Sequence, residues 1–186
     1  MNWFAFALAA WICFGLEIGL RDYLSLQSSA VAPSFVIAFL AYIAMHASQR
    51  AVLWAAIILG VIVDLTGSIA LSTSGDAVLL GPHALGFLLG AQIVLSLRAM
   101  IVSRNPLSLG VLSLAVAAVA QIVVVAVLTV HKLVGDPLVW DPSDRLVEGL
   151  VSAVYTGIVA TLLALLLIPL SPLFGFAHSH RRFGHP

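Results

Sequence analysis

The chain has 186 residues, of which 62% are apolar and only 9% charged, and its mean hydropathy is +1.14. A soluble globular domain needs about a quarter of its residues charged to hydrate its surface, so that class is excluded. The formal net charge is +0 and no run of Lys or Arg is long enough to suggest a nucleic-acid partner, which leaves the lipid bilayer as the solvent.

Six stretches approach the roughly 20 apolar residues that a membrane crossing requires. They run roughly over 3–20, 33–46, 51–71, 79–97, 107–130 and 146–170. The expected fold is therefore all-α, a polytopic membrane helical bundle of about six transmembrane helices. It fills residues 1–170 as a single domain, followed by a short tail, 171–186, that carries His178, His180, His185, Arg181 and Arg182.

The first stretch lacks the basic start of a secretory signal and is expected to stay as an anchor. Near its end Glu17 and Arg21 stand four residues apart, the spacing at which a helical acid and base meet, so an interfacial ion pair is expected. Gly15 and Gly19 form a GxxxG pattern that lets helix backbones approach closely in lipid, either within the chain or against a partner. Cys13 is the single cysteine, which rules out a disulfide framework and reads as a small membrane-embedded hydrophobe. The second stretch has a clean apolar core only from Ser34 to Met45, too short to cross about 30 Å unaided, so five crossings plus a re-entrant piece stays open beside six.

The third stretch holds the most informative residue. Asp64 interrupts an otherwise apolar run, and an acid at a helix centre costs about 2.5–3.5 kcal/mol on translocon scales unless it is turned inward and given a partner. Gly60 and Gly67 flank it by four and three residues, near one helical face. A glycine-lined groove with a carboxylate in its floor is suited to another helix, a proton or a ligand. In the fourth stretch His83 follows Pro82 in the first turn, where interfacial water or backbone is its expected partner, and Gly86 and Gly90 repeat the GxxxG pattern. Gln121 lies mid-way along the fifth stretch; its amide is expected to bond across to another helix, with Asp64 as a specific candidate.

Proline marks the helix starts at Ala32-Pro33, Gly81-Pro82, Asn105-Pro106 and Asp141-Pro142, because the first helical N–H needs no intrahelical partner. Asn105 and Asp141 are then natural N-caps, while Pro169 and Pro172 close the last helix. With the N-terminus cytoplasmic, the inner connections hold Arg50, Arg98, Arg104, Arg181 and Arg182 and the outer ones Arg21, Lys132 and Arg145, an excess that favours both termini inside. No Ser-His-Asp set, phosphate loop, HExxH or paired intramembrane carboxylates is in evidence, so neither an enzyme, a metal nor a cofactor is expected.

The stretch Gly60-Val-Ile-Val-Asp64-Leu-Thr-Gly67, followed by Leu80-Gly81-Pro82-His83-Ala84-Leu85-Gly86 and an apolar helix ending in Leu97-Arg98, resembles the rod-shape-determining MreD family of bacterial inner-membrane proteins. The specific motif content lies within residues 60–98, and the connection from Ser68 to Leu79 is longer than the family pattern. The resemblance implies a non-enzymatic scaffold of the cell-elongation complex. It would bind the membrane-anchored MreC and work beside MreB, RodA and a class B penicillin-binding protein in peptidoglycan synthesis and cell shape. On that reading Asp64 and its glycines fix helix packing or receive a partner helix. The family's architecture is also similar to the substrate-binding S components of energy-coupling-factor vitamin transporters, so a transport component is the alternative. It requires a ligand cavity near the outer side, to which Glu17, Arg21, Asp22, Tyr23 and Trp140 are the available contributors.

Overall fold

A computed structural model describes residues 1–26, 31–67, 69–70, 76–100, 105–134 and 141–175. It holds six α-helices: α1 Trp3–Leu24, α2 Phe35–His46, α3 Gln49–Thr66, α4 Pro82–Leu97, α5 Pro106–Val134 and α6 Pro142–Leu167. Two short 3-10 turns, Arg98–Met100 and Ser171–Phe174, extend the ends of α4 and α6. Five helices are long and apolar enough to cross a membrane, and the chain is a multi-pass membrane protein by that measure.

The helix starts follow local chemistry. Asn2 Oδ1 accepts from Phe4 N at 3.1 Å, Asn105 Oδ1 from Leu107 N at 3.0 Å and Asp141 Oδ1 from Ser143 N at 3.2 Å, each satisfying a first-turn donor. Pro82, Pro106 and Pro142 open their helices as expected. Pro33 does not: α2 begins two residues after it, with the Ser34 hydroxyl capping Ile37 N at 3.2 Å. The third helix starts earlier than expected and also stops earlier, at Thr66 rather than Leu71, with Gly67 as its extended C-cap. Beyond it Ile69–Ala70 pairs antiparallel with Asp76–Ala77, which turns the chain back toward α4.

The doubtful second stretch becomes the axis of the bundle. Its 12 residues rise about 18 Å, well short of a bilayer core of about 30 Å. Residues Phe35 through Ala44 are all buried, and α2 packs against each of the other five helices. A helix with apolar residues on every side suits either lipid or a protein interior, and this one, too short to span, takes the interior. The alternatives of five crossings and six thus resolve into five long helices enclosing one short one.

Glycines set the spacing of the enclosing helices. A Cβ on Gly60 would strike the Ala84 backbone, with Ala84 N at 2.7 Å, so α3 and α4 touch there. One on Gly86 would lie 2.9 Å from Ala120 Cα, and one on Gly90 2.9 Å from Val116 Cγ1, which joins α4 to α5. Gly110 and Gly157 bring α5 against α6 in the same way, the Gly157 carbonyl lying 2.7 Å from a Gly110 Cβ. In lipid, where burial of apolar surface gives no bias between helices, this close backbone approach supplies the van der Waals contact.

The end bearing the N-terminus is closed by aromatic packing. Phe39 stacks on Phe6 at 5.8 Å, and Phe174 meets Phe39 at 6.0 Å and Tyr42 at 5.7 Å. Asn2 N donates to Phe174 O at 2.9 Å. The bundle therefore runs past the expected boundary at residue 170 to include this turn, while residues 176–186, with the tail histidines and arginines, lie outside the described residues. At the same end Arg98 Nη1 donates to Ala47 O at 2.7 Å, tying α4 to the joint between α2 and α3.

Candidate functional site

The sites singled out in the sequence gather at the opposite end of the bundle. Because α3 stops at Thr66, Asp64 lies in its last turn and not at a helix centre, and it is 3% exposed. Its carboxylate meets the start of α4. Oδ2 accepts from Gly81 N at 2.8 Å and Ala84 N at 3.3 Å, while Oδ1 accepts from His83 N at 3.0 Å and His83 Nδ1 at 2.7 Å. A carboxylate only accepts, so Nδ1 is the ring nitrogen that carries the hydrogen.

Each residue of this junction has a reason. Gly81, the N-cap position of α4, has no side chain to cap with and adopts φ +122, a region closed to residues with a Cβ. The first-turn donors of α4 would be orphaned in lipid, and Asp64 satisfies them from another helix, at the positive end of the helix dipole. Gly60, one turn earlier in α3, removes the side chain that would hold α3 away from Ala84. Gly67 closes α3 as its C-cap and also lines a cavity beside it; a Cβ there would meet only Val63 O of its own helix, at 3.5 Å.

A second acid repeats the device. Glu17 of α1 does not close an ion pair with Arg21; among the described residues ion-pair distances occur at His83–Asp64 and Arg145–Glu148. Glu17 Oε2 instead accepts from Val36 N at 3.0 Å and Ser34 Oγ at 3.1 Å, capping α2. Thr156 of α6 completes this cap: its Oγ1 accepts from Ser34 N at 2.9 Å. The short α2 begins inside the bundle, so its donors require protein acceptors, and that demand outweighs an exposed pair one turn away on α1.

Between these two caps lies a cavity of about 640 Å³. Among the described residues it lies beyond the N-terminus of α2, which is shorter than its neighbours and begins below their ends. Its polar wall includes Glu17, Arg21, His83, Gln121, Ser152 and Thr156. Phe14, Ile18, Ile37, Val63 and Phe87 supply apolar wall. Of the expected outer-side contributors, Glu17, Arg21 and Asp22 line it; Trp140 lies outside the described residues.

Gln121 does not reach Asp64, whose oxygens are taken by α4; its amide lies against α6, where a Cβ on Gly149 would stand 2.9 Å from Oε1. Of the two GxxxG patterns, Gly86 and Gly90 pack inside the chain, whereas Gly15 and Gly19 have nothing within 4 Å and face away from it. Sequence reasoning missed Ser34, Gly81, Gly149 and Thr156. Ser34 ahead of an apolar run and Gly81 before proline were readable as cap positions, whereas Thr156 carries no local signal because its partner is 122 residues away. Among the described residues no group of three or more His, Cys, Asp or Glu is placed to hold a metal ion.

No protein-family model, curated protein or solved structure matches the chain.

Proposed function

We propose that the chain is a non-enzymatic scaffold of a bacterial inner membrane, of the type implied by its resemblance to the MreD family. It would bind MreC and, through it, serve the wall-building assembly of MreB, RodA and a class B penicillin-binding protein, with both termini cytoplasmic. The observation that carries this reading is the bonding of Asp64 to Gly81, His83 and Ala84. The two separated pieces of sequence that carry the resemblance are thus one physical unit, and Gly60 belongs to it through Ala84. The acid most suggestive of chemistry is spent on holding two helices together, which suits a protein that presents a fixed surface. The exposed Gly15 and Gly19 offer a lipid-facing stripe for a partner helix.

Removing the gene from its native rod-shaped bacterium tests this: rounding of the cells, restored by the wild-type copy, is the expected result. Retained rod shape together with lost uptake of a small nutrient contradicts it and favours the transport component, a reading supported by the cavity of about 640 Å³, within the ordinary range of ligand sites.

A further inference from the structure

The cavity has more structure than a packing defect requires. Its wall brings an acid, Glu17, and a base, Arg21, to the same side of α1, one helical turn or about 6 Å apart along the axis. These two are not paired with each other at ion-pair distance. Glu17 is half-buried at the deeper level beside the α2 N-terminus, and Arg21 is exposed at the mouth with Asp22. Opposite them stand the neutral hydrogen-bonding groups of Gln121, Ser152 and Thr156. His83, whose Nδ1 is committed to Asp64, presents its other ring edge as a further polar group. The apolar wall from Phe14, Ile37 and Phe87 lies between these polar elements.

We propose that this cavity binds a small water-soluble zwitterion with an apolar body, its ammonium directed to Glu17 and its anionic group to Arg21. A mostly apolar pocket with a few convergent polar groups is the usual form of a small-molecule site. The cap bonds fall on Glu17 Oε2, which leaves Oε1 to meet a ligand's ammonium, while the Arg21 guanidinium, not within ion-pair distance of Glu17, meets the anionic end. The vertical order of the charges favours a soluble ligand over a lipid. An aminophospholipid entering tails first places its phosphate deeper than its ammonium, whereas here the carboxylate is the deeper group and the guanidinium the shallower. The inference does not depend on whether the chain is a scaffold or a transport component; a scaffold with such a site would be ligand-responsive.

The test uses the full chain in phosphatidylcholine nanodiscs, with radiolabelled L-phenylalanine, L-leucine and the dipeptide Leu-Leu as probes. Phenethylamine and 3-phenylpropanoate each carry one of the two charges. At least one zwitterion should bind saturably, and the single-charge analogues at least tenfold more weakly, as expected for the loss of one charge-assisted contact. Glu17→Gln should weaken the zwitterion and phenethylamine by about tenfold but leave 3-phenylpropanoate unchanged, and Arg21→Gln should do the reverse. Arg21 lies at the exposed rim, so its variant keeps the test open if Glu17→Gln fails to fold. Three results overturn the proposal: binding by none of the zwitterions, affinities unaffected by either substitution, or displacement of the probes by phosphatidylethanolamine at stoichiometric amounts.

Discussion

Asp64 receives four hydrogen bonds, three of them from backbone donors of the first turn of α4. First-turn amides have no intrahelical partner and ordinarily exchange with solvent quickly. Those of Gly81, His83 and Ala84 should therefore be unusually protected in the wild type. Asp64→Asn keeps one acceptor oxygen and replaces the other with an amide group that cannot accept, so exchange should rise sharply across residues 81–84. Hydrogen-exchange mass spectrometry of the two proteins checks this, and equal protection contradicts the cap. Glycine positions give a paired prediction. Gly60→Ala places a methyl against the Ala84 backbone and should cost about 1–3 kcal/mol through overpacking. Gly19→Ala meets nothing within 4 Å and should not lower the thermal midpoint.

Among the elements, α6 starts from a self-contained cap outside the membrane. Hydrogen bonds from the Ser143 side chain and backbone hold the Asp141 carboxyl below its ordinary range. A group whose pKa is lower folded than unfolded contributes stability that is present above the unfolded value and is lost as pH falls through the folded one. The thermal midpoint of Asp141→Ala should thus lie below that of the wild type at neutral pH, and the gap should close as pH drops below the usual carboxylate range, as melting curves across that interval would reveal. Legibility in the sequence also differed by element. Long apolar stretches and proline-marked starts placed α1, α4, α5 and α6 closely, because both signals are local. The C-terminus of α3 was misplaced because apolar residues continue past Gly67, and the ladder that diverts them depends on Asp76–Ala77 further along the chain. The short α2 was visible as an anomaly, but only its burial by five other helices explains it. Glu17 was placed beside Arg21 on spacing alone, whereas its actual partners belong to α2.

For the whole molecule, one theme connects these features: the acids within the helical bundle act on the ends of other helices. Glu17 caps α2 and Asp64 caps α4, so these helix starts are tied to α1 and α3, and Glu17 and His83 of the two caps both line the cavity. A sequence can reveal that an acid needs a partner; it does not reveal that the partner is a backbone turn 17 to 20 residues away. The scaffold proposal also concerns the whole molecule, since a scaffold acts through the partners its outer faces hold. Affinity purification from native membranes in mild detergent, with mass spectrometry of the proteins and small molecules recovered, tests it most directly. Recovery of MreC with wall synthases is the result expected of a scaffold, and it should persist in Arg21→Gln. Recovery of an ATPase module with a stoichiometric vitamin, and no MreC, would contradict it.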